Sequence, residues 1–352
     1  MPRFQHLVIT RFSIRPTMTS TDRNELRRTL EPLLGSFDPL TPRSLDHRFR
    51  VFEVACLPGV LAQTLQEFTW VIAVDRDLPA QYRERLARLV SERPRTVIHS
   101  YDPLEPLGDV DWLRPYVEQP APDYLLTTTL DDDDALPPRF AESIQQLVTE
   151  RGDQLAPVET FGATDLWEWD LEVTDDAPLG YRAPWHRDAI PVVSVGFSLL
   201  ARYPTYELTV MRLPHNEAQH VLDWDTPPRD PRIEEIRSVM QAGAARDGDS
   251  LRDFAASETF HDWVPLAGMP TMTNHQINVE GTRLHEAKER TAVTGAESFP
   301  NAAIDWDALD RHAPHFQTNR RMRARYFLAR ADRLRQRVMA RFHSARQRPA
   351  GS

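Results

Sequence analysis

The chain is poor in the residues that staple or anchor a polypeptide. Cys56 is the single cysteine among 352 residues, so no intramolecular disulfide and no cysteine-built zinc site can form, and a reducing, cytoplasmic compartment is the natural reading. Cys56 itself reads as a small core residue. No window approaches the roughly 18 apolar residues of a membrane-spanning helix. The opening MPRFQHLVITRFSIR offers only Leu7, Val8 and Ile9 before Thr10 and Arg11 interrupt, too short a run for a signal-peptide core. There is no GxxxxGK[ST] phosphate loop and no internal repeat. Lysine is almost absent as well, since Lys288 is the only one among 42 basic residues. That bias reads as a trace of GC-rich coding, not of mechanism.

What is present is an ordinary globular balance, 41% hydrophobic and 27% charged, enough for a sizeable core in one large domain or one domain with an appendage. The net charge of -10 argues against a general nucleic-acid binder, which needs a basic surface. The charge is unevenly placed: four acids run from Asp131 to Asp134, whereas 320–348 is dense in arginine.

The first third alternates strand and helix signals. His6 to Phe12 is a short strand-type run, and Arg43 to Thr64 has helical spacing at Leu45, Phe49, Phe52, Cys56, Val60 and Leu61. Phe68 to Val74 is aromatic and β-branched and stops at Asp75, as a buried strand does. A helix over Pro79 to Glu92, a strand over Thr96 to His99 near Asp102, a strand over Tyr124 to Leu130 that runs into DDDD, and a helix over Pro138 to Thr149 follow. This alternation predicts an α/β fold with a mostly parallel sheet covered by helices on both faces. In such sheets ligands sit beyond the carboxyl ends of the strands, where Asp75, Asp102 and the four aspartates should converge. Beyond Pro157 the pattern is less regular, with Trp167, Trp169, Tyr181 and Trp185 among prolines, a strand-like VVSVGFSLL at 192–200, and a flexible loop expected near 225–258.

Two carboxylates one residue apart at a strand end can hold a hard cation, Mn2+ or Mg2+, whose other positions are filled by diphosphate oxygens and water. In the register LDxDD the pair is Asp131 and Asp133, with Asp134 behind them or on a sugar. The alternative is a solvated acidic turn that caps the next helix. Four mutually repelling acids exceed what a cap requires.

The stretches HLVITRF, CLPGVLAQTLQEFTWVIAVD and TTTLDDDDALPPRF resemble glycosyltransferases of the GT-A type, and more closely the bacterial putative rhamnosyltransferase family. The likeness runs from His6 to Ile144, with a looser echo at Ser194 to Leu200 and near His275. It implies transfer of a sugar, rhamnose by the family's name, from a nucleotide-sugar donor to a saccharide or glycolipid acceptor. It also implies a GT-A-like fold whose donor half is 1–155 and acceptor half 156–317. Residue by residue, it implies that Arg11 and Phe12 line the donor pocket, that Asp75 contacts the nucleoside, and that Asp131 and Asp133 hold the metal. Asp102 stands beside them at the donor rim. Where such enzymes often carry Gly-Ser after the second strand, this chain has Arg76, Asp77 and Leu78.

The late His275 is a candidate third metal ligand, because a neutral imidazole suits Mn2+; the bland reading is a structural histidine. A general base for the acceptor hydroxyl falls, by chain order, to Asp262, or to Glu217 or Glu258. Trp167, Trp169 and Trp185 are either acceptor-stacking rings or core. The segment 318–352 reads as a basic helical tail, with Phe327, Leu334, Val338 and Phe342 at helical spacing among eleven arginines from Arg320 to Arg348. Either it touches an anionic membrane surface or it packs on the acidic body. A noncatalytic carbohydrate- or nucleotide-binding module, and a metal-dependent phosphohydrolase, are the competing classes. The hydrolase lacks the further His and Asp ligands it needs.

Overall fold

The computed structural model describes residues 2–15, 39–102, 110–163, 166–173, 178–184, 196–213, 231–248, 261–264 and 271–274. The expected tail at 318–352 lies outside these residues.

The chain begins with strand β1 (Phe4–Phe12), then helix α1 (Pro42–Val51), which runs through a π-helical segment, Phe52–Cys56, into helix α2 (Leu57–Leu61). Strand β2 (Thr69–Asp75), helix α3 (Ala80–Val90), strand β3 (Thr96–Tyr101), strand β4 (Tyr124–Asp131) and helix α4 (Phe140–Arg151) follow. Later come β5 (Val158–Ala163), β6 (Leu166–Val173), β7 (Pro178–Pro184), β8 (Ser198–Arg202), helix α5 (Pro231–Asp247), β9 (His261–Val264) and β10 (Thr271–Asn274). Seven strands form one sheet in the order β3-β2-β1-β4-β8-β5-β9, and β10-β6-β7 form a second, smaller one. In the large sheet only β8 runs against its neighbours β4 and β5. The remaining pairs are parallel.

The period of two along each strand divides the core. Val8, Phe12, Trp70, Ile72, Val74, Leu126 and Leu130 face one side, where α1 to α4 bring Leu45, Phe49, Phe52, Leu86, Phe140 and Ile144. Leu7, Ile9, Val71, Ala73 and Leu125 face the other, covered by Trp112 and Leu113 of a 3-10 turn and by Ile233, Ile236 and Met240 of α5. The expected α/β fold with helices on both faces is therefore what forms.

Two expectations are corrected. Residues 231–247 are not part of a flexible loop. They form α5, because Ile233, Ile236, Met240 and Ala244 recur at three and four residues and bury one stripe. Pro231 stands at the first position of the helix, where a missing N–H costs no helical bond. Phe12, expected to line a pocket, is fully buried edge-on to Phe49 and Phe52, with ring centroids 4.8 and 5.3 Å apart.

A neutral histidine is built into this core. The Gln145 amide nitrogen, oriented by its bond to the Glu67 carbonyl, donates to His6 Nδ1 at 3.2 Å. His6 Nε2–H therefore donates to Thr128 Oγ1 at 2.8 Å, and Thr128 joins Ser198, which donates to the Gly196 carbonyl. Burial, seconded by the Arg93 charge, lowers the His6 pKa to about 3. Because the unfolded chain protonates near 6.5 and the folded one does not, this residue's contribution is intact above about pH 6.5. It is lost at about 1.4 kcal/mol per pH unit as pH falls toward 3. Urea denaturation at pH 7, 6 and 5 should accordingly show the stability gap between wild type and His6→Gln narrowing by about 0.7 kcal/mol from pH 7 to 6 and by about 1.2 kcal/mol from pH 6 to 5. Parallel profiles would show that His6 is not held neutral.

Candidate functional site

The parallel strands bring their carboxyl ends to one edge. Register pairs Arg11 with Asp131 across β1 and β4, Phe12 with Val74 across β1 and β2, and Asp75 with Tyr101 across β2 and β3. Asp75, Asp102 and the four aspartates thus share that edge. Asp75 and Asp131 lie two strands apart, about 10 Å at ordinary strand spacing.

So many carboxylates on one rim would repel, and arginines offset them. Arg11 binds Asp131 Oδ1 through Nη2 at 2.6 Å and Nε at 3.1 Å. Arg48, from α1, gives Nη1 to Asp132 Oδ1 at 3.0 Å and Asp133 Oδ2 at 2.7 Å. The Ser13 amide donates to the second Asp132 oxygen at 3.2 Å. Arg76 pairs with Asp102. Asp132 and Asp134 turn inward, 4% and 2% exposed, so Asp134 presents no open face to a sugar. Side chains of Asp131 and Asp133 keep 28% and 14% exposure. Burial raises the pKa of Asp132 and of Asp133, Arg48 pulling against it and the neighbouring acids adding to the rise.

Asp75 is sealed. Its two oxygens accept Arg15 Nη2 at 2.7 Å, Arg15 Nε at 2.8 Å, and the backbone amides of Arg15 and Asp77 at 3.2 and 3.0 Å, which fills the four acceptor positions of a carboxylate. With no exposure, it meets a nucleoside only if Arg15 leaves. Arg15 also reaches Asp77.

One helical unit sets the height of the acidic turn. Buried Gln63, just past α2, donates to the Gly59 and Pro137 carbonyls at 2.8 Å each and accepts the Ala141 amide at 2.9 Å. The Thr64 amide bonds the Pro138 carbonyl at 2.8 Å. Gln63 and Thr64 together are the clamp between α2 and the start of α4. A Cβ at Gly59 would stand 3.2 Å from both the N and O of Leu136, so glycine lets α2 lie directly on the segment that follows the four aspartates.

Other named residues are not gathered here. Asp262 lies on β9, opposite Phe161 of β5 and three strands from β4, roughly 14 Å to the side of Asp131. Trp167 and Trp169 are on β6 and Tyr181 on β7 of the small sheet. Glu217, Glu258, His275 and Trp185 lie outside the described residues. Arg15 and Arg48 went unnoticed in the sequence. Arg48 carried a signal, a charge within the apolar stripe of Leu45, Phe49 and Phe52; Arg15 carried none.

Residues 5–159 match the family described as putative rhamnosyl transferase. That match spans the acidic turn and each arginine that pairs with it. No curated protein matches the chain. Among solved structures, a mannosyltransferase (PcManGT) from Pyrobaculum calidifontis in complex with GDP-Man and Mn2+ is similar at 10% identity, over 72% of this chain and 78% of that one, with a TM-score of 0.30. A 4-diphosphocytidyl-2C-methyl-D-erythritol synthase is similar at 12% identity, over 67% and 98%, TM-score 0.28. HddC from Yersinia pseudotuberculosis, complexed with GMP-PN, is similar at 11%, over 58% and 79%, TM-score 0.24.

Asp131 and Asp133 offer hard carboxylate oxygens on the open side of the edge, a donor set that fits Mn2+ or Mg2+ with phosphate and water completing the shell. Among the described residues no group of three or more His, Cys, Asp or Glu is placed to hold a metal.

The buried Asp75 gives a sharp expectation. Burial alone would raise its pKa, but the bonds from Arg15 and the Asp77 amide outweigh it and the net shift is downward. Its contribution to stability is therefore present above the unfolded pKa near 3.9 and lost as pH falls through the lower folded value. Arg15→Gln strands a buried carboxylate, while Asp75→Asn strands an arginine whose side chain is 38% exposed and can turn to water. Chemical denaturation at pH 7 should show Arg15→Gln as the costlier change, by about 1–3 kcal/mol. The reverse order would mean that Arg15 does not hold Asp75.

Proposed function

We propose that this protein is a GT-A-like glycosyltransferase that takes a sugar, rhamnose by the family's description, from a nucleotide-sugar donor. The observation that carries the reading is the meeting of Arg11, Arg48, Asp131 and Asp133 at the carboxyl edge of a parallel sheet, inside the segment that matches the putative rhamnosyl transferase family. The mannosyltransferase structure with GDP-Man and Mn2+ names the ligands to try first.

In this reading the nucleoside lies over β2 near Asp75 and Arg15, and the diphosphate lies toward β4. Asp131 and Asp133 would hold Mn2+ or Mg2+, which supplies positive charge to a departing diphosphate. Arg11 keeps Asp131 in place, with Nη2 and Nε both on one carboxylate oxygen. Asp132, bound to the Ser13 amide and Arg48, ties the turn to the end of β1 so that the outer pair keeps its spacing. The acceptor, a saccharide or glycolipid, is placed toward the β8 and β5 side, where 156–317 supplies the walls. The base that accepts the hydroxyl proton is assigned to that half, to Glu217 or, if its strand's lateral offset is bridged, to Asp262. His275 remains a proposed further ligand. No helix among the described residues is long and apolar enough to cross a membrane, and contact of the basic tail with an anionic surface is proposed from sequence alone.

Thermal melts against uridine, guanosine and thymidine diphosphates, with and without Mn2+, test this. A ligand at one hundred times its Kd adds about 2.7 kcal/mol to stability, so one nucleotide should raise the melting temperature by several degrees only when Mn2+ is present. Asp131→Asn with Asp133→Asn should abolish that rise while the protein alone melts within a few degrees of wild type. A double variant that still shows the full metal-dependent rise would remove these residues from the site.

A further inference from the structure

Arg48 sits where a cation would have to compete with it. Its Nη1 lies 2.7 Å from Asp133 Oδ2 and 3.0 Å from Asp132 Oδ1, and among the described residues Nη1 makes both of its carboxylate contacts. Asp132 is a secured partner, because the Ser13 amide holds its other oxygen and only 4% of the residue is exposed. Asp133 is on the open side. The Arg48 side chain is 27% exposed, and its Nη1 rests on Asp133 rather than on Asp132 alone, at the outer part of the acidic turn. A divalent cation on Asp133 would stand at contact distance from the Arg48 guanidinium, where their like charges repel. A diphosphate offers the displaced guanidinium pairs of acceptor oxygens that match its planar fork as a carboxylate does.

We propose that Arg48 is an exchange residue. It neutralises Asp133 before the donor arrives, and passes to the donor's diphosphate as the divalent cation takes its place on the carboxylate. This rests on the glycosyltransferase reading and assigns the side chain that governs diphosphate affinity in that site. No bond is made or broken in the exchange; one ion pair is traded for another. Its consequence is an opposition of sign. Removing the Arg48 charge frees Asp133 for the metal and deprives the diphosphate of a partner, so the two affinities move apart. A residue that only held the fold would weaken both.

Isothermal titration of the full chain decides this, first with Mn2+ alone and then with uridine, guanosine and thymidine diphosphates in saturating Mn2+. Arg48→Gln should bind Mn2+ severalfold more tightly than wild type and bind the preferred diphosphate about tenfold more weakly, the value of one charge-assisted hydrogen bond. Arg48→Lys keeps the charge without the fork and should fall between on both axes, and its near-native charge guards against a variant that merely unfolds. If wild type binds Mn2+ and a diphosphate but both affinities fall together in Arg48→Gln, or neither moves, the exchange is overturned and the glycosyltransferase reading stands. If wild type binds no diphosphate with Mn2+, both are overturned.

Discussion

Compensation of negative charge at one edge of the sheet is the constraint on which the rest depends. Parallel strands end together, so Asp75, Asp102 and Asp131 to Asp134 are brought to one rim by topology and not by choice. Left alone, such a rim would raise its own pKa values and push the strands apart. The chain answers with Arg11 from β1 itself, Arg15 just beyond it, Arg76 just beyond β2 and Arg48 from α1. Each arginine fixes the element that carries it. The end of β1, the turn after β2 and the first helix are thereby keyed to the acids of one rim.

Much of the fold from β1 to α4 was legible in the sequence. Buried parallel strands are continuous apolar runs, and TWVIAVD and the run ending in DDDD could hardly be anything else. The helices over Pro42–Leu61, Ala80–Val90 and Phe140–Arg151 follow their apolar spacing to within a few residues. The failures have physical causes as well. Phe12 is one residue from Arg11 and therefore on the opposite face of β1, so a strand end could not present both to one pocket. Residues 231–247 were misread because the prolines and small residues of that stretch of sequence resemble a loop, when the stripe at Ile233, Ile236 and Met240 is what sequence period rewards.

The site was legible in its acids and in Arg11, and not in Arg15 or Arg48. A carboxylate at a strand end announces itself by position, whereas the cation that neutralises it comes from wherever the fold permits: 120 residues away for Arg11 and Asp131, 84 for Arg48 and Asp132. No local pattern encodes such a pairing. Gln63 is the intermediate case, since its place in a recognisable stretch marked it, yet only the three bonds it makes to Gly59, Pro137 and Ala141 say why.

The near-absence of lysine gains a meaning in this light. Whatever set the arginine bias of the chain, the rim uses what distinguishes a guanidinium from an ammonium. Arg15 spans both oxygens of Asp75 and also reaches Asp77, and Arg48 joins Asp132 to Asp133. A lysine is a point charge on a flexible stem, with no planar fork to match the two oxygens of a carboxylate. It is also more strongly hydrated, so withdrawing it from water beside the buried Asp75 would cost more. A lysine in place of Arg15 would keep the charge balance and lose the fork that closes both oxygens of Asp75.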